Sequence, residues 1–201
     1  MKEKDVLEDT EYKKCVEFHG HICPDLSVGF RTARTGLDWL KENRAEDEEL
    51  VAVVENNACE ADAVQVLTGC TFGKGNFFFR DHGKHVFILA GRKSGKAVRV
   101  ALKAGAMELD ERHRALMARI RQGEASPEEK REFQELHLRK SREILETSAE
   151  RLFRIQALPY SLPPRAQVEP SQICDRCKEP TMGSKLSDVQ GAKVCRDCLK
   201  S

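Results

Sequence analysis

Phe18-His19-Gly20-His21-Ile22-Cys23-Pro24 sets two imidazoles and a thiol within five residues. Pro24 fits the first position of a helix, where its missing N–H costs nothing, and this puts Cys23 at the cap. Exposed N–H groups and the positive dipole end there are expected to stabilise a thiolate and lower its pKa. His19 and His21 are two apart, a spacing that turns both rings to one side of an extended segment, and Gly20 lets the backbone approach a neighbour closely. Cys59 repeats the arrangement: it follows the β-branched run Leu50–Val54 and precedes an expected helix, with Asp62 one turn further on. Two thiols, two imidazoles and a carboxylate suit an open metal site with His19, His21, Cys23 and Cys59 as N and S donors. They suit equally a cysteine nucleophile, Cys23 or Cys59, beside a histidine base. The candidate catalytic set is Cys59, His21, Cys23 and Asp62, the last as a partner or base.

A second constellation closes the sequence. Cys174-Asp-Arg-Cys177 and Cys195-Arg-Asp-Cys198 are two CxxC pairs seventeen residues apart, the spacing of a zinc ribbon or treble clef. Four thiolates complete a tetrahedral shell, so this site is expected to hold structural zinc with no open position. A segment of about 30 residues cannot bury enough surface to fold alone, so metal binding would supply the folding free energy. Charges of both signs and the absence of interleaved aromatic residues favour protein contact or a purely stabilising role for this finger over nucleic acid.

The remaining candidates carry less. Gly73-Lys74-Gly75 after Cys70-Thr71 resembles a small anion-binding loop, with Thr71 and Lys74 as ligand contacts, but it lacks the order of a Walker loop. Cys15 reads as a small core side chain. His82 and His85 flank Gly83-Lys84 in an expected turn and read as surface residues. His113 and His137 fall in charged helical stretches and read as solvated.

Several elements must position these groups. Leu26, Phe30, Ala33, Leu37 and Leu40 form one apolar face of a helix over 24–42. Leu50–Val54 is an expected strand, Glu60–Leu67 an expected helix ended by Gly69, and His85–Gly91 with Ala97–Leu102 an expected hairpin. These make an α+β core over residues 1–105. Residues 106–157 hold 22 charged side chains among 52, enough to keep most of their surface in water. There a helix of about 107–121 pairs as a hairpin with a second that starts at Ser126-Pro127-Glu128-Glu129. The apolar seam from Phe133 through Leu152 and Phe153 extends that second helix to about 45 Å, long enough to join two protomers. Prolines 159, 163, 164 and 170 mark residues 158–170 as a stiff linker, before the finger at 171–201.

Composition limits the function classes. The 201 residues carry 34 Lys+Arg against 33 Asp+Glu, a balance that offers no basic footprint for nucleic acid. No apolar run approaches the roughly 20 residues needed to cross a bilayer, and the polar first twenty residues lack a secretory apolar core. A cytoplasmic protein with no membrane partner is expected, and its eight cysteines read as metal ligands or reactive thiols rather than disulfides.

FHGHICPDLSVGFRTA (18–33) and CEADAVQVLTGCTFGKGN (59–76), in that order and followed by the CxxC pairs, resemble the FmdE family, named for a component of formylmethanofuran dehydrogenase. The first two stretches lie within residues 12–104, about half the chain. The resemblance implies an α+β core that forms homodimers, often with a treble-clef zinc finger appended. It also implies a metal- or thiol-lined pocket of His19, His21, Cys23, Cys59 and Asp62, with Cys70, Thr71 and Lys74 nearby and a second transition metal, zinc by preference, inside. One departure is visible: the family's Cys-Pro-Gly reads Cys23-Pro24-Asp25 here, adding a carboxylate beside the cluster. Formylmethanofuran dehydrogenase reduces CO₂ with a molybdenum or tungsten pterin and iron–sulfur clusters, and this chain has no run of cysteines for such clusters. The expectation is an accessory component of such an enzyme or a free-standing metal-dependent enzyme of one-carbon metabolism. A zinc-finger regulatory module and a metal-free thiol enzyme are the alternatives.

Overall fold

Val86–Gly91 has no polar side chain and therefore no face to give to water, and it lies at the centre of the sheet. The structure, a computed structural model, describes residues 5–159, 161–166 and 168–200. Residues 1–4 of the expected polar lead, Tyr160 and Gln167 of the expected linker, and Ser201 fall outside that range. In chain order the elements are α1 (Thr10–His19), α2 (Pro24–Leu40), β1 (Leu50–Val54), α3 (Glu60–Thr68), β2 (Phe77–Phe79), β3 (Val86–Gly91), β4 (Ala97–Leu102), α4 (Glu111–Gln122), α5 (Pro127–Glu146), α6 (Ala149–Leu152) and β5 (Phe153–Ala157). They form one compact unit, Met1–Arg165, and the remainder, Ala166–Ser201, forms another.

The sheet order is β2-β1-β3-β4-β5. β1 and β2 are parallel, joined through α3, and the other pairings are antiparallel. The hairpin expected across residues 92–96 is present, pairing Ala90 with Ala97 and Val86 with Ala101. α2 packs on β3 and β4 with Leu26, Phe30 and Ala33 buried, and Tyr12 of α1 is tied to Ser27 of α2 by a 2.8 Å hydrogen bond between their hydroxyls. α5 packs on α2 as well, where Arg31 donates to the carbonyls of Leu145 and Thr147 at 3.1 and 2.7 Å. A cation at a helix C-terminus satisfies carbonyls that have no intrahelical partner.

Mixed α and β content is therefore as the sequence predicts, but the charged segment differs in detail. Ser126 caps α5 as its sequence predicts, and the structure adds a reciprocal bond from the Ser126 N–H to the Glu129 side chain. The helix then ends at Glu146 rather than running through Phe153. Leu152 and Phe153 are buried because the chain turns back, and β5 joins the sheet edge with Phe153 opposite Leu102. Apolar spacing alone cannot separate a last helical turn from a buried strand. Among the described residues no helix is long and apolar enough to cross a membrane.

The second unit contains two small antiparallel pairs, β6 (Ser171–Ile173) with β7 (Pro180–Met182) and β8 (Leu186–Val189) with β9 (Ala192–Cys195). Cys174 follows β6 and Cys195 ends β9, so each strand pair delivers one CxxC turn.

Candidate metal centre

The junction of α1 and α2 places the first histidines and thiol. Gly20 closes α1 in the left-handed region at φ 95°, and this turn, rather than an extended segment, brings His19 and His21 together. Their ring centroids are 4.4 Å apart. His19 is the last residue of α1 instead of part of a strand, because the Gly20 turn replaces strand alternation. Cys23 caps α2 as its sequence predicts: its backbone is extended, Pro24 is the first helical residue, and its Sγ accepts the Leu26 N–H at 3.4 Å. His19 Nε2 lies 3.9 Å from Cys23 Sγ, and its Nδ1 lies 2.7 Å from an Asp62 oxygen. Donor atoms of His19, His21 and Cys23 all fall within 4.8 Å of one another.

α3 brings Cys59 and Asp62 to the same place. Its start sits against α2 at Gly29, where an added Cβ would stand 2.4 Å from the Glu60 carbonyl oxygen; only glycine permits that approach. Cys59 occupies the cap position but with helical dihedrals and no capping bond of its own. Its thiol is near enough to that of Cys23 for each to influence the other, but the donors gathered within 4.8 Å are those of His19, His21 and Cys23, without Cys59.

The expected lowering of the Cys23 pKa does not occur. Burial pushes this thiol up to about 12, and the Leu26 N–H offsets only part of that. Burial also raises Cys59. The carboxylate of Asp25 adds to both effects. A desolvated thiol beside an acid holds its proton until a cation displaces it.

The structure also places groups whose local sequence hides them. His85 is at the surface as expected, but it shares a hydrogen bond at Nδ1 with the Glu60 carboxylate, which is wholly buried. Asp25, Glu60 and His85 form a second cluster with donor atoms within 4.8 Å. His113, expected to be solvated, is buried, its Nε2 2.5 Å from His137 Nδ1 and its ring edge-on to Phe133. Burial, then the neighbouring His113 and His21, holds His137 down at about 4. Charge density in α4 and α5 masks one inward stripe; the spacing of His113 to Leu116, and of Phe133 to Leu136 and His137, is the signal that could have found it.

Two cavities flank the histidines. One, of about 550 Å³, is lined by His19, Asn56, Cys59 and Asp62 together with Phe72, Phe77 and Phe79. The other, of about 590 Å³, lies between His21, Ile22 and the α4–α5 pair, including Phe133 and His137. Thr71 and Lys74 line neither. The Thr71 hydroxyl accepts the Lys74 N–H, and the Lys74 ammonium donates to the Glu46 carbonyl. Cys70 is buried behind them, its thiol raised to about 11 by desolvation.

In the second unit the four cysteines converge with sulfurs within 4.8 Å. Both turns close by a backbone bond four residues back, Lys178 N–H to Cys174 O at 2.9 Å and Leu199 N–H to Cys195 O at 3.1 Å. N–H groups of Cys195, Cys177 and Arg176 point at the Cys174 sulfur and lower its pKa to about 6. Four sulfurs gathered this closely are the donor set of a closed tetrahedral metal site.

Residues 18–154 match the family model described as FmdE, molybdenum formylmethanofuran dehydrogenase operon. A curated relative from Archaeoglobus fulgidus, named a probable S-adenosyl-L-methionine-binding protein, is 30% identical over 198 residues. The match takes in 92% of this chain and 51% of the relative, so the chain spans about half the relative's length. A solved structure from Syntrophus aciditrophicus, an FmdE-like protein of the tungsten formylmethanofuran dehydrogenase type, shares the fold at a TM-score of 0.62 and 22% identity. That likeness covers 99% of this chain and 97% of the other.

Proposed function

Because this chain belongs to the FmdE family, we propose that it is a metal-dependent protein of one-carbon chemistry, an accessory component of a larger enzyme or a free-standing enzyme. The convergence of His19, His21 and Cys23 within 4.8 Å, with the Cys59 thiol nearby, carries this reading. Two imidazoles and two thiols suit zinc or a neighbouring transition metal, and such an ion supplies Lewis-acid polarisation or an activated water. The chain's own residues do the rest. Asp62 fixes the orientation of the His19 ring through Nδ1 and leaves Nε2 facing the thiol. Asp62 also lines the adjoining cavity, where it can take a proton from a bound molecule. Phe72, Phe77 and Phe79 give that cavity an apolar part of its lining. The raised thiols favour this reading over a metal-free thiol enzyme, because a thiol that keeps its proton is a poor nucleophile and coordination removes it.

The Cys174, Cys177, Cys195 and Cys198 cluster holds structural zinc in this reading. Ile173, Met182 and Leu199 are exposed on the finger, which suits contact with a protein rather than nucleic acid. The core acts as a homodimer, with exposed Phe18 and Phe72 beside the site among the surfaces that a second copy covers; light scattering at micromolar concentration reads that directly.

A second reading rests on the three phenylalanines. A cavity lined by three aromatic rings and a carboxylate suits a planar base and a sulfonium cation, and S-adenosylmethionine is what the Archaeoglobus relative is named for. Metal analysis and titration calorimetry separate the readings. Wild type purified anaerobically should carry two thiophilic metal ions per chain, and the Cys174→Ser/Cys177→Ser variant one. Loss of a further equivalent in Cys23→Ser places the ion in the core; one equivalent in wild type and none in the finger variant would sink the pocket metal. Heat of binding on adding S-adenosylmethionine, abolished in Phe72→Ala/Phe77→Ala, would establish the second.

A further inference from the structure

We propose that Asp25, Glu60 and His85 form a second metal site in the core, separate from the thiol pocket and suited to a harder divalent cation of the Mn²⁺ or Fe²⁺ kind. The three residues lie far apart in sequence, and three different features deliver them. Asp25 is in the first turn of α2, Glu60 is the first residue of α3, and His85 immediately precedes β3. Gly29 lets the Glu60 backbone rest directly on α2. The Glu55 N–H bonds the Val86 carbonyl at 3.0 Å, and the Asn56 side chain bonds the Lys84 carbonyl at 3.0 Å, which fixes the start of β3 beside α3.

Glu60 is a carboxylate with no solvent contact. One of its oxygens is on His85 Nδ1, and the other accepts the Asn56 amide at 3.1 Å. Asp25 places a second carboxylate within 4.8 Å of both. An ion pair between Glu60 and His85 would account for those two residues alone and leaves Asp25 unexplained. Two carboxylates beside a neutral imidazole carry two negative charges, which a dication bound in place of the imidazole proton neutralises. Opposite ligands at metal–donor lengths near 2.1 Å stand about 4 Å apart, the scale of this cluster. An oxygen-rich set with one imidazole and open positions selects harder ions than thiolates do. The His85 side chain is 42% exposed and gives the ion its way in.

Titration with Mn²⁺, followed by electron paramagnetic resonance on the full chain already loaded with two equivalents of zinc, tests the site. Wild type should bind one Mn²⁺ per chain. Asp25→Asn and His85→Gln, both at partly exposed positions and checked as folded by circular dichroism, should each weaken binding by about tenfold or more. Cys23→Ser should leave Mn²⁺ binding intact while losing zinc, so failure of the thiol pocket is read separately. The proposal is overturned if folded wild type takes no Mn²⁺, if both substitutions leave the affinity unchanged, or if Cys23→Ser alone abolishes binding.

Discussion

Replacing Gly29 by alanine should damage stability and metal binding together. The new methyl would sit 2.4 Å from the Glu60 carbonyl oxygen, 2.6 Å from its Cα and 2.8 Å from its carbonyl carbon. All three are backbone atoms of α3, so no side chain can rotate out of the way. Relief requires α3 to retreat from α2 by about 1 Å to reach ordinary contact distances. Overpacking of this kind costs about 1–3 kcal/mol, a fall in Tm of roughly 3–10 °C for a unit of this size. The same retreat carries Cys59, Glu60 and Asp62 away from Cys23 and His19, so the core site should lose affinity even where the protein stays folded. Thermal unfolding by circular dichroism reads the first effect, and the thiolate-to-cobalt absorption of Co²⁺-substituted protein reads the second. Gly36→Ala is the graded comparison: its methyl meets Leu89 Cδ1 at 2.3 Å, a side-chain end that can turn, so the loss should be smaller. Gly73→Ala, with nothing within 4 Å, should match wild type. A Gly29→Ala protein with unchanged Tm and an unchanged cobalt spectrum would refute the argument that this glycine sets the distance between the two helix starts.

Arg31→Met removes both donors to the Leu145 and Thr147 carbonyls and should destabilise the first unit by about 1–3 kcal/mol, measured as a shift of the urea midpoint without a change in slope. His137 is held down at about 4 in the fold, by burial first, against an ordinary value of about 6.5. Its contribution is therefore complete above pH 6.5 and is lost as pH falls toward 4; Tm should drop across that window in wild type and drop less in His137→Gln. Stripping metal with a strong chelator should collapse amide resonances of residues 171–200 while those of α2, β3 and β4 stay dispersed, because β6–β9 have little core besides the sulfurs and Val194. Retained dispersion in the finger without metal would contradict it.

The fold was legible where local chemistry is unambiguous. Pro24 behind Cys23, Ser126 ahead of Pro127 and Gly69 in the left-handed region mark helix ends within a residue or two, and the β3–β4 hairpin announces itself by two apolar runs around a polar turn. The thiols and histidines of the core were legible for the same reason, since each stands at a helix start or end. What stayed hidden depends on contacts between segments far apart. β5 looked like the tail of a helix because Leu152 and Phe153 fit either period. His85 looked like a turn residue because nothing near it in sequence shows that Glu60 waits beside it. The Cys23 thiol departs from its expectation because the helix dipole is local and visible in sequence, whereas burial by the α1–α2–α3 packing is neither.

His19 borders one cavity and His21 the other, with their rings in contact between. The centre is thus a wall shared by two chambers, one walled by phenylalanines from the β2 side and one by the charged α4–α5 segment. Molecules lodged in opposite chambers would not compete for space, so an inhibitor selected against one chamber should act non-competitively with a ligand held in the other. The two walls can also be altered independently: residues 72–79 set what enters one door, residues 120–138 what enters the second, and neither change touches the donors themselves. A protein built this way could acquire a new substrate without rebuilding its centre.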